Sequence, residues 1–113
     1  MRELSLDDLS REHARFDQTA LATPEIDAFC SSTAWIVSAH QAFTPGRQPF
    51  VFETEDGYLA FMRSRDPRGW DVLEPLESSW LLATPLIGPD PDRLFNRLAA
   101  SVPAQVAMVC LSG

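Results

Sequence analysis

Residues 49–64, PFVFETEDGYLAFMRS, decide the fold. Phe50 and Phe52 alternate with Val51 and Glu53, the period of two that a strand with unlike faces requires. Asp56-Gly57 is a strong hairpin turn signal, and Tyr58, Ala60 and Met62 against Leu59 and Phe61 make the returning strand. Outward from this hairpin, Asp66-Pro67-Arg68-Gly69 is the next turn, and Trp70, Val72 and Leu73 open a third strand. Pro75 ends that strand or confines it to a sheet edge; with Pro49 and Pro85 it reads as edge protection. The apolar run 80–87 predicts a fourth strand. Asp90 then caps a helix with Pro91 in its first turn, whose inward stripe is Leu94, Phe95, Leu98 and Val102. The continuous apolar run 105–111 predicts a central strand buried on both faces.

Upstream the period is helical. Ser5 with Asp8 forms a capping box, and Leu6, Leu9, His13 and Phe16 fall on one stripe of a loosely docked amphipathic helix over residues 1–20. Thr23-Pro24 starts a short second helix with Ile26 and Phe29 facing inward. Trp35, Ile36, Ala39, Ala42 and Phe43 give a third helix its inward face, and Thr44-Pro45-Gly46 stops it. The fold class is α+β: one domain with an antiparallel sheet, mixed at its last strand, and helices packed on it.

Composition narrows the function. A chain of 113 residues is one domain and buries enough surface to need no metal or disulfide staple. All nine basic residues are arginine, a bias that reads as a GC-rich bacterial genome. Sixteen acids leave a net charge of −7, so the mean field repels nucleic acid and anionic membrane. Without lysine there is no Schiff-base chemistry. Cys30 and Cys110 stand far apart, which argues against a zinc site or a disulfide framework. The start, MRELSLDDLSREH, is no signal peptide, and no apolar run reaches membrane-spanning length, so the expected setting is soluble and cytoplasmic.

Three stretches, FCSSTAWIVSAHQAF (29–43), PFVFETEDGYLAFM (49–62) and VLEPLESSWLLATPLIGPDPDRLFNRLAAS (72–101), follow one another in an order that resembles the front half of the GNAT acyltransferase fold. The wording is similar to the first half of tandem-domain FemAB-like and cellulose-biosynthesis-type acyltransferases, over residues 24–113. In GNAT enzymes the loop before the central helix has a Q/R-x-x-G-x-G/A pattern whose N–H groups hold the coenzyme A pyrophosphate. Here that loop is Gly88-Pro89-Asp90-Pro91-Asp92. Two prolines remove donors and two aspartates repel a pyrophosphate, so by the resemblance Gly88 and Asp90 are cofactor-site candidates on a degenerate loop. The resemblance therefore implies a non-catalytic GNAT-like half-domain, with no catalytic residue and no cofactor. A buried strand so near the last residue predicts that a longer chain, a partner or self-association through the sheet edge completes the sheet.

Two other functions stay open. One is an acidic interaction or inhibitor module for a basic partner; the other is an N-acyltransferase using acetyl-CoA only as a dimer or within a longer chain. Arg63, Arg65 and Arg68 form the one basic cluster, a candidate contact for an anion or partner, unless Asp66 and Asp71 pair with them. Trp80, after Glu77-Ser78-Ser79, is a candidate partner anchor. Trp35 and Trp70 read as core with the phenylalanines. Cys30 with His40 is a nucleophile–base candidate lacking a third group, and the acids Glu53, Glu55, Asp56, Glu74 and Glu77 match no metal-loop spacing.

Overall fold

A computed structural model describes all residues, Met1–Gly113. In chain order it holds β1 (Arg2–Leu4), α1 (Leu6–Arg11), α2 (His13–Leu21), α3 (Thr33–Phe43), β2 (Gln48–Thr54), β3 (Gly57–Arg65), β4 (Asp71–Pro75), β5 (Leu86–Ile87), α4 (Pro91–Ser101) and β6 (Val106–Val109). The sheet runs β1-β2-β3-β4-β6, antiparallel except for the parallel β4–β6 pair, with β5 also on β3. The α+β class and the mixed last strand are as expected.

β3 organises the molecule. On one side it pairs β2 along its length, Thr54 opposite Gly57 through Gln48 opposite Arg63. On the other side two partners share it: β5 faces Tyr58 and Leu59, and β4 faces Phe61 through Arg65. They meet at Ala60, whose N–H donates to the Pro85 carbonyl (2.8 Å) and whose carbonyl accepts from Leu76 N–H (3.3 Å). The chain therefore leaves the sheet after Pro75 and returns at Pro85.

The alternation of β3 divides the core. Tyr58, Ala60 and Met62 point to one face, where Leu4, Leu9, Phe16, Ala20, Ile36, Val37 and Val51 cover them from α1, α2, α3 and the neighbouring strands. Leu59 and Phe61 point to the other face, under Leu94 and Leu98 of α4. Strand geometry makes this split obligatory, since successive side chains leave opposite faces.

Several expectations are corrected. The helix over residues 1–20 is two helices broken at Glu12, preceded by β1, which the periodicity did not indicate. It is firmly docked, with Leu9, Phe16 and Ala20 buried, whereas His13 is exposed. The Thr23-Pro24 helix is absent: residues 22–32 form turns, with Glu25 at φ 59°. α3 ends where expected, but its buried side is Thr33, Ile36, Val37 and His40, leaving Phe43 outside. The predicted strand 80–87 reduces to β5. β6 is not central: it lies at the sheet edge, half-exposed. Phe95 is also exposed on α4.

Candidate functional site

The junction before α4 comes first, because the resemblance places a cofactor there. Gly88 N–H donates to Thr23 Oγ1 at 2.9 Å in a buried setting. A Cβ on Gly88 would lie 2.2 Å from the Asp56 carbonyl, so the loop is wedged against the β2–β3 hairpin. Asp90 accepts from Arg93 N–H, capping α4. Asp56 receives Arg97 Nε at 2.5 Å and Arg93 at 3.4 Å, and these guanidiniums hold its carboxyl below the usual aspartate range. The Gly88 N–H, the one glycine donor of this loop, and the nearby Arg93 and Arg97 guanidiniums are thus engaged within the fold.

The arginine cluster is divided. Arg63 and Arg65 share Asp71, at 3.1 and 3.2 Å. Arg68 turns away, pairs with Asp66 at 2.8 Å and lies 3.7 Å over the Trp70 ring. Asp66 also accepts the N–H groups of Trp70 and Arg68, which organise the turn. Cys30 and His40 are not joined by a hydrogen bond: the Cys30 N–H donates to Asp27, and His40 Nδ1 meets Thr44 Oγ1 at 3.1 Å. Glu53, Glu55, Asp56, Glu74 and Glu77 form no group of metal-ligand geometry. Glu53 instead meets Arg2, Arg15 and the Tyr58 hydroxyl, and Glu74 meets Arg47 and Ser64.

Glu77 explains the missing strand. Its carboxylate is buried and accepts the N–H groups of Trp80 (2.6 Å), Leu81 (3.3 Å) and Leu82 (3.1 Å). Burial by itself would raise its pKa, but these three donors prevail and hold it below the ordinary glutamate value. The buried Trp35 indole N–H faces the same carboxylate without forming a well-aligned hydrogen bond. A strand would need those backbone donors for its ladder. The carboxylate gathers them into a loop instead, with Leu81 at φ 59°.

Two apolar surfaces remain. The first lies along β6 and α4, where Phe95, Leu98, Ala99, Val102, Val109 and Leu111 line a groove of about 290 Å³. β6 pairs only with β4, and no charged residue occurs from Leu98 to Gly113. The opposite edge, β1, carries Arg2 and Glu3 and is tied by Arg2 to Glu12 and Glu53. The second surface surrounds Trp80, which packs on Trp35 and Phe43 with ring centroids 5.7 and 5.3 Å apart. Phe43, Phe95, Leu81 and Leu82 were missed as surface residues, because apolar side chains at helical or strand spacing read as core. α3 carries apolar residues on both faces; the exposed pair Ser38 and Gln41 was the available signal for its outer side, and the buried His40 obscured it.

Comparison of the chain with protein-family models, with curated proteins and with solved structures finds no match.

Proposed function

We propose that this chain is a non-catalytic GNAT-like structural or partner-binding domain, and that it works by accepting another β-strand along the outer edge of β6. The observation that carries this reading is the contrast between the two sheet edges. An unpaired edge strand is a template for pairing, and proteins guard such edges with charge, proline or a covering element. β1 is short and charged, whereas β6, VAMV, is uncharged and continuous with the exposed side chains of Phe95 and Leu111. The order of three antiparallel strands, helix and parallel strand supports the GNAT-like half-domain. The engaged groups around Gly88 and Asp90 favour this role over acetyl-CoA-dependent acyl transfer.

The test combines light scattering across a concentration series with hydrogen exchange at residues 106–109, and adds a peptide of sequence QVAMVCL as a strand probe. Concentration-dependent association or peptide uptake is expected, with protection gained at 106–109 and lost in Met108→Lys. A monomer at high concentration whose β6 amides stay unprotected with or without the peptide overturns the reading.

A further inference from the structure

The aromatic surface around Trp80 is separate from β6. Trp35 and Phe43 of α3 and Trp80 of the 76–85 loop wall a groove of about 230 Å³, with Ala34, Ser38 and Ala42 as its floor. These floor residues stand at i, i+4 and i+8, so the groove follows the α3 axis for roughly 12 Å, about two helical turns. Phe29 extends the aromatic chain, its ring 5.8 Å from Trp35.

The area is unusual for a solvated face. Phe29 is 66% exposed, Phe43 59%, Leu81 55%, Trp80 51% and Leu82 45%. At roughly 200 Å² for a large side chain, Phe29, Phe43 and Trp80, joined through Trp35 by ring contacts, present on the order of 350 Å² of apolar surface. That lies within the range of the largest, commonly functional, patch on a monomer. The surface is also held in place. Glu77 fixes the Trp80 loop from beneath, and Thr84 N–H donates to the buried Ser31 Oγ (3.1 Å), linking that loop to the Phe29 turn. Preorganised anchors lose little conformational freedom on binding.

Charge identifies the occupant. All nine arginines lie in ion pairs, which together engage nine of the sixteen acids: Asp8, Glu12, Glu53, Glu55, Asp56, Asp66, Asp71, Glu74 and Asp90. The seven acids left over account for the net charge of −7. Asp17, Glu25 and Asp27, in segments beside the groove, and the buried Glu77 are among them. Asp17 bonds Thr33 at the start of α3 and lines the neighbouring depression with Ala34 and Ser38. Glu25 and Asp27 lie in the turn that carries Phe29, and Glu77 lies beneath Trp80. The groove's own lining carries no charge of either sign, so these acids stand beside it rather than in it.

We infer that this groove docks a basic amphipathic helix of a partner protein, apolar side chains between the aromatic walls and lysine or arginine toward Asp17, Glu25 and Asp27. Helix-in-groove recognition uses apolar anchors at i, i+3, i+4 and i+7, which the groove's length accommodates.

The experiment titrates the full chain with a designed leucine/lysine amphipathic helix and with its leucine/glutamate counterpart, read by tryptophan emission and calorimetry. Saturable micromolar binding of the lysine peptide alone is expected. Phe43→Ser and Ser38→Gln, both uncharged changes at exposed positions, should each weaken it roughly tenfold or more, the scale of a lost interface anchor. Thermal melts confirm that both variants fold; Ala42→Gln replaces either one that does not. The inference fails if the lysine peptide does not bind, or binds these variants as tightly as the parent, since net charge alone then holds it. It also fails if tryptophan emission changes with protein concentration as a dimer forms without peptide, because a second copy then covers the groove.

Discussion

At the residue scale, single side chains and single missing side chains decide the geometry. Gly57 adopts φ 132°, and a Cβ there would sit 1.9 Å from the Ile87 carbonyl that pairs β5 to β3. Gly69 is also left-handed, at φ 84°, but has open space around it. Gly69→Ala is therefore expected to cost about 1 kcal/mol for backbone strain alone, and Gly57→Ala roughly 3 kcal/mol or more, because the backbone must also move. Chemical denaturation of both variants checks the ranking; equal costs would contradict it. Buried titratable groups make stability pH-dependent. Burial lowers the His40 pKa from 6.5, so below that pH the unfolded chain takes up a proton that the folded chain resists, and stability falls. Glu77 is held below 4.5, so its contribution is whole above that pH and is lost as acid protonates the folded carboxylate. Melting temperature should therefore fall first below about pH 6.5 and again below about pH 4.5. His40→Gln should flatten the first decline, and Glu77→Gln should reduce the second, to which Asp56 also contributes. At neutral pH Glu77→Gln should cost about 1–3 kcal/mol, since its amide cannot satisfy all three loop donors.

At the scale of elements, the capping box of Ser5 and Asp8, the Asp90 cap and the stop at Thr44-Pro45-Gly46 were legible because each is a local hydrogen-bond or dihedral requirement. The packing of the first helices was not legible. Asp17 of α2 caps α3 by accepting Thr33 N–H (2.8 Å) and the Thr33 hydroxyl (3.0 Å), a contact across sixteen residues. Phe16 of α2 is fully buried against Tyr58 of β3, ring centroids 4.8 Å apart. Phe16→Ala is expected to remove about 3–5 kcal/mol, a typical cost for emptying a core aromatic site. Urea unfolding measures it, and a loss below about 1 kcal/mol would return α1 and α2 to the status of a loosely docked appendage. The 76–85 segment illustrates the reverse error. Its residues have strand composition, but the Glu77 carboxylate competes for the backbone donors and wins.

At the scale of the whole molecule, nine compensated acids and seven uncompensated ones leave two apolar surfaces in unlike fields. The β6 edge is uncharged, and two copies meeting there bring their net charges together; the α3 groove has Asp17, Glu25 and Asp27 in the segments beside it. Raising sodium chloride from about 0.05 to about 0.3 M shortens the screening length about 2.5-fold and should strengthen self-association through β6 while weakening the leucine/lysine helix at the groove. Parallel light-scattering and calorimetric series check the opposite signs; a common sign would mean that one surface serves both. The sequence by itself determined the β2–β3 hairpin, the caps at Ser5–Asp8 and Asp90, the stop of α3 and the mixed last strand. Each follows from alternation, turn chemistry or connection length, which act within a few residues. Only the tertiary structure decided which apolar residues stay outside. Phe43, Trp80, Phe95 and Met108 carry the same local pattern as buried neighbours, and their exposure depends on where α3 and α4 meet the sheet, on Glu77 folding its loop back, and on β6 standing at the edge. Those are contacts between distant segments, and burial is a property of such contacts rather than of local periodicity.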